Sequence, residues 1–210
     1  MEKKEYAKLL LNIEAVAIRG EDQLFTWASG IKSPIYCDNR LTISYPEVRR
    51  AIAKGLVDLI EKDFLDSFDV VAATATAGIP HGAWVAELLN KPMVYVRSSS
   101  KDHGKENLIE GIIKKGQRAV LIEDLISTGG SSLKCVEALQ KEGVEVLKVY
   151  GIFNYGMKEA IDRFKLASIP YETLTDYSTL LDLLQEEGKF TPEQVERLRL
   201  FSENPRIFTK

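Results

Sequence analysis

Cysteine is scarce in this chain of 210 residues: there are two, Cys37 and Cys135. Two thiols so far apart in sequence exclude a disulfide framework and fit a reduced, cytoplasmic setting. No stretch approaches the roughly 18 consecutive apolar residues of a membrane span. The opening Met1-Glu-Lys-Lys-Glu-Tyr lacks the apolar core of a signal peptide, so no membrane partner is expected. Excess positive charge is missing too. The formal net charge of −3 gives nucleic acid no general attraction, although a local cationic cluster can still receive an anionic small molecule. Internal repeats and low-complexity segments are absent. What remains is ordinary globular composition, 45% apolar and 28% charged, which argues against disorder. At this length one domain with one substantial core is the expectation.

Apolar spacing predicts a helix over residues 3–18, with Tyr6, Leu9, Leu10 and Ile13 on one side. Residues 23–39 differ: aromatic and aliphatic positions are broken by Ser29-Gly30 and Ser33-Pro34, which reads as a small hairpin or irregular β-structure. Ser44-Tyr-Pro-Glu47 has the form of a capping box opening a helix to about residue 62. Strand and helix units then alternate. Strands are expected at 69–75, 93–97, 118–124 and 144–153, and helices at 81–89, 131–142 and 158–166. Gly78-Ile-Pro80 reads as a turn, and a long polar loop runs from 97 to about 111. The C-terminal part ends in helices, one opened by the capping box Thr191-Pro-Glu-Gln194. Continuous apolar strands separated by helices mean an α/β fold with a parallel-sheet core flanked by helices. The expected single domain divides into an N-terminal hood at about 1–45, a core at about 46–170 and C-terminal helices at about 171–210.

The most telling stretch is Ala119-Val-Leu-Ile-Glu-Asp-Leu-Ile-Ser-Thr-Gly-Gly-Ser131. A buried strand delivers two adjacent carboxylates, Glu123 and Asp124, and Leu125 and Ile126 lead into a glycine turn before a helix. In Ser127-Thr-Gly-Gly-Ser131, Gly129 and Gly130 permit backbone N–H groups to converge on an anion. The hydroxyls of Thr128 and Ser131 add donors, and the helix adds its positive end. No Gly-Lys-Ser/Thr follows, so this is not a P-loop. A serine-capped βα connection and a structural salt bridge would explain the turn and the acids separately. Together they suit a ribose 5-phosphate, its diol on the acids and its phosphate on the turn. The acids would also favour a cationic transition state at the anomeric carbon.

This segment resembles the phosphoribosyl pyrophosphate (PRPP) motif of the type I phosphoribosyltransferases, which does not specify the base transferred. Two other segments do. Arg97-Ser-Ser-Ser-Lys-Asp-His-Gly104 resembles the mobile catalytic loop of the orotate phosphoribosyltransferase family, and Phe25-Thr-Trp-Ala-Ser-Gly-Ile-Lys-Ser-Pro34 its orotate-binding segment. The resemblance implies that orotate and PRPP give orotidine 5′-monophosphate and diphosphate, with Mg²⁺ held mainly through substrate and no metal site of the protein's own. It implies that Lys101, His103 and Asp124 are catalytic. Arg97, Lys101 and His103 would meet the pyrophosphate, Glu123 and Asp124 the ribose, and residues 125–131 the rest of PRPP, with Ser127 also touching orotate. It further implies a homodimer in which each loop reaches the partner's site. Ala75-Thr-Ala-Gly-Ile-Pro80 resembles the family's pyrophosphate loop, although a plain tight turn has the same composition.

Two family lysines are missing, replaced by Ala28 and Ala77; Lys32 is a candidate substitute for the first. No arginine lies near Asn154-Tyr-Gly156, where some members hold the orotate carboxylate. Arg40 is the candidate for that role, the alternative being a surface ion pair. Tyr36 either stacks on the pyrimidine or belongs to the core. A purine-base transferase would share the PRPP motif but not the other two segments. A PRPP-sensing transcriptional regulator would need a DNA-binding domain, for which no segment is expected.

Overall fold

The computed structural model describes residues 1–19, 23–27, 30–65, 67–98, 108–205 and 207. Helix α1 (Lys3–Asn12) is followed by strand β1 (Val16–Ile18), not by continued helix. Glu14 takes a positive φ of 57°, and the chain turns back so that Val16 and Ile18 enter a strand that suits their branched side chains. β1 pairs antiparallel with β4 (Ile35–Cys37), and β2 (Phe25–Thr26) with β3 (Lys32–Ser33). These two small sheets form the expected hood of irregular β-structure.

A 3₁₀ turn at Asn39–Ser44 leads into α2 (Pro46–Phe64). Pro46 occupies the first helical position, where its missing N–H costs nothing. The capping box is not formed: Tyr45 stands at the N-cap, and its side chain makes no capping bond. β5 (Val70–Thr74) is buried along its whole length and is followed by α3 (Gly78–Leu89). The helix therefore begins three residues before the expected His81. Pro80 lies in the first turn, which needs no intrahelical N–H donor, so it does not make the expected turn.

β6 (Met93–Val96) and β7 (Ile109–Glu110) pair antiparallel. β8 (Arg118–Ile126) continues two residues past the acids, then α4 (Gly130–Lys141), β9 (Glu145–Asn154), α5 (Lys158–Leu166), β10 (Tyr171–Asp176), α6 (Tyr177–Glu186) and α7 (Pro192–Glu203) follow. The capping box at Thr191 is formed, with Thr191 and Gln194 bonding reciprocally. The six-stranded sheet has the order β10-β9-β8-β5-β6-β7, parallel except for β7. Because β10 pairs with β9, the sheet extends beyond residue 170 into the segment read as purely helical.

Alternate strand residues feed two cores. Val71, Val120, Ile122 and Ile152 pack with Ile52 and Leu56 of α2, Leu180 of α6 and Phe201 of α7. Val70, Leu121 and Val149 face the other way, toward Val136 and Leu139 of α4 and Phe164 of α5. Each such fully buried aliphatic contributes on the order of 1.5–3 kcal/mol. No helix among the described residues is long and apolar enough to cross a membrane.

Candidate active site

Strand order reverses between β5 and β8: from β5 the sheet grows outward through β6, and from β8 through β9. In open α/β sheets, ligands bind in the crevice at such a reversal, beyond the strands' C-terminal ends. The β5–β8 register ends at Ala73↔Ile122, so the next two residues of β8, Glu123 and Asp124, stand where the strands part. Gly78 lets α3 close on this point, because a Cβ there would lie 2.8 Å from the Ile122 carbonyl oxygen. The preceding Ala75–Thr76 peptide is cis.

The two acids have different surroundings. Glu123 is 3% exposed. Its Oε2 accepts from Ser132 Oγ at 2.9 Å and Ser131 Oγ at 3.2 Å, and its Oε1 from the Asp124 N–H at 3.1 Å. Burial, reinforced by the neighbouring Asp124 charge, pushes the Glu123 carboxyl up to about 8. Asp124 is half-buried; burial raises its carboxyl too, opposed by hydrogen bonds that include the Asp124 and Leu125 N–H groups. Glu123 is therefore occupied by the protein, while Asp124 is the more accessible acid. Leu125 is half-buried, and Ile126 is buried with its carbonyl accepting from the Tyr155 N–H.

The turn after β8 is shaped by α5. Gly129 has φ +77°, and a Cβ there would strike the Phe164 ring at 2.8 Å. At Gly130 a Cβ would lie 3.2 Å from Arg163 Nη1, a cation otherwise paired with Glu159. Ser127 and Thr128 are half-buried and Ser131 is exposed, although its hydroxyl is donated to Glu123. Gly130 and Ser131 share a cavity of about 850 Å³ with Thr74, Ala75, Arg97 and Ser98. Arg97 thus stands opposite the turn, its guanidinium 3.6 Å from Glu110. Lys101 and His103, and the substituted position Ala28, lie outside the described residues.

Residues 44–172 match the phosphoribosyl transferase domain family. The orotate phosphoribosyltransferase of Staphylococcus haemolyticus is 54% identical over 201 residues, covering 96% of this chain and 98% of that protein. The chain belongs to the orotate phosphoribosyltransferase family. Among solved structures, the orotate phosphoribosyltransferase of Aeropyrum pernix superposes with a TM-score of 0.71 at 27% identity, covering 87% of this chain and 99% of that one. Leishmania donovani UMP synthase superposes with a TM-score of 0.80 at 29% identity, covering 95% of this chain but 42% of that longer one.

In the hood, Tyr36 on β4 is half-buried with its ring 5.5 Å from Phe25 on β2, itself under Arg19. Arg40 is 60% exposed and makes the surface ion pair: Nε and Nη2 reach the two Asp38 oxygens at 2.6 and 2.7 Å. That bond holds the Asp38 carboxyl below its ordinary value. Lys32 is exposed on β3, and Ala77 precedes α3. Two residues with no periodic or motif signal tie the hood to the core. Tyr155 is buried and accepts from the Cys37 N–H at 2.9 Å. Asn39 is buried and its Nδ2 donates to the Asp124 carbonyl at 2.6 Å. An asparagine after Asp38 reads locally as turn chemistry, so sequence alone passes over it.

Proposed function

We propose that this chain transfers the 5-phosphoribosyl group of PRPP to orotate, giving orotidine 5′-monophosphate and diphosphate in pyrimidine nucleotide synthesis. The observation that carries the reading is the joint position of Glu123-Asp124 and the Ser127-to-Ser131 turn at the strand-order reversal of the sheet. The names of the curated relatives supply the base.

In this reading the turn holds the 5-phosphate through its backbone N–H groups and the N-terminal end of α4. Asp124 accepts from the ribose hydroxyls and faces the charge that grows at the anomeric carbon, while Glu123 supports the turn from behind through Ser131 and Ser132. The ring nitrogen of orotate donates its electron pair to the anomeric carbon as the bond to diphosphate breaks, and the proton that nitrogen carried passes to the diphosphate or to solvent. Diphosphate leaves with that bond's electrons, and Arg97, Lys101 and His103 neutralise it. Tyr36 and Arg40 face the base, Arg40 exchanging part of its bond to Asp38 for the orotate carboxylate. Catalysis is positioning and charge stabilisation, without a covalent enzyme intermediate.

Among the described residues no group of three or more His, Cys, Asp or Glu could form a metal cage, and the Glu123 oxygens are already bonded. Mg²⁺ would be brought by PRPP, with Asp124 lending nearby negative charge. When bound it supplies charge neutralisation to the diphosphate. The functional unit is a single domain in a cytoplasmic homodimer, the Lys101–His103 loop completing the partner's site.

The test is product formation. With PRPP and Mg²⁺, orotate is converted to orotidine 5′-monophosphate on chromatographic separation; turnover of hypoxanthine or adenine in place of orotate overturns the assignment.

A further inference from the structure

We propose that Asn39 is a positioning residue for phosphoribosyl transfer: from the end of the hood it fixes the peptide unit that follows Asp124. The inference rests on the reaction proposed above. Asn39 is 1% exposed, and its side chain is held at both ends. Nδ2 donates to the Asp124 carbonyl at 2.6 Å, and Oδ1 accepts from Cys37 Sγ at 3.3 Å. Its main-chain carbonyl accepts from Thr42 Oγ1 at 2.5 Å, and Thr42 lies 3.4 Å from Nε2 of buried His81 on α3. A buried amide clamped in this way has one available orientation.

The bonded carbonyl matters because of what shares its peptide plane. The Asp124 carbonyl and the Leu125 N–H belong to one trans-planar unit, so fixing one fixes the other. That Leu125 N–H acts on the Asp124 carboxylate in the direction of its charged form, against the rise that burial causes. Polarising the carbonyl from Asn39 also makes the N–H a stronger donor. Asn39 thus orients and charges the acid that faces the ribose, from a segment that also carries Tyr36 and Arg40. The other titratable or charged groups facing Asp124 are Glu123 on its own strand and Arg40 and Cys37 beside Asn39.

Three variants separate positioning from mere packing. Asn39→Ala removes the side chain, and Asn39→Leu keeps the bulk without a donor or a new charge. Thr42→Ala breaks the neighbouring bonds but leaves the Asn39–Asp124 bond. Both Asn39 variants are expected to lose about tenfold or more in kcat with the orotate KM within about threefold. Their acidic limb of kcat against pH moves upward by roughly half a unit or more, because Asp124 loses support for its charge. Thr42→Ala lowers the melting temperature but keeps kcat within about twofold and the limb in place. If Asn39→Ala does not fold, Asn39→Leu carries the test. Unchanged kcat and limb in the Asn39 variants, or an equal change in Thr42→Ala, overturns the inference. Wild-type protein without orotate turnover sinks the proposed reaction instead.

Discussion

Glu123 and Asp124 are adjacent and chemically similar, yet the fold gives them unlike work. Glu123 is enclosed and bonded to two serine hydroxyls; Asp124 is more open and supported by main-chain N–H groups. The raised Glu123 carboxyl has a thermodynamic consequence. The folded state holds its proton more tightly than the unfolded chain, so this contribution to stability is full below the ordinary value near 4.5. It is lost as pH rises toward about 8. Melting temperatures taken from pH 5 to 8 should therefore fall more steeply in wild type than in Glu123→Gln. Parallel curves would show that the carboxyl does not titrate in that window. The acids and the glycine turn are legible in sequence because their chemistry is local. Asn39 and Tyr155 are not, because they act on residues distant in the chain whose proximity only the fold creates.

At the scale of elements, the Ser127-to-Ser131 turn is a contact between two helices as much as a loop. Gly129 adopts a left-handed conformation and has Phe164 of α5 directly against it. Gly129→Ala combines backbone strain with a clash at 2.8 Å, so a loss of about 1–3 kcal/mol is expected. The KM for PRPP should rise about tenfold while the orotate KM stays within about threefold; equal changes in both, or in neither, would count against the turn as the phosphate site. Sequence periodicity locates β5, β8, β9 and α5 well because buried parallel strands and amphipathic helices carry strong apolar patterns. It fails where local and tertiary signals compete. Residues 3–18 keep helical spacing, but the left-handed Glu14 ends the helix and pairing with β4 draws Val16 to Ile18 into a strand. Pro80 looks like a turn residue until its place in the first turn of α3 is known. β10 escapes the apolar pattern because Thr173 and Thr175, polar by composition, are buried in the sheet.

At the scale of the molecule, the proposed sugar and base sites lie on different parts of the chain. The sheet's strand reversal holds the acids and the turn, and the hood carries Tyr36 on β4 of a small sheet and Arg40 on the 3₁₀ turn that follows it. We propose that the loop carrying Lys101 and His103 serves the neighbouring subunit's site. Mixed dimers of Lys101→Ala with Asp124→Asn chains would then contain one intact site. Activity recovered on mixing the two inactive variants supports that sharing; activity no greater than the separate variants sum to means that each site is built within one chain. The sequence carries family membership openly, since the PRPP segment and the two orotate-like segments are contiguous; the path from hood to acid is not. Asp124 is the residue proposed to make orotate transfer possible at this site. The direct measurement is the loss of orotate absorbance after PRPP and Mg²⁺ are added to wild type and to Asp124→Asn, with melting temperatures recorded for both. Wild type should consume orotate, and Asp124→Asn should run about 100-fold or more slower with its fold retained. A wild type that leaves orotate untouched, or an Asp124→Asn protein that keeps pace with it, would rule out that role for Asp124.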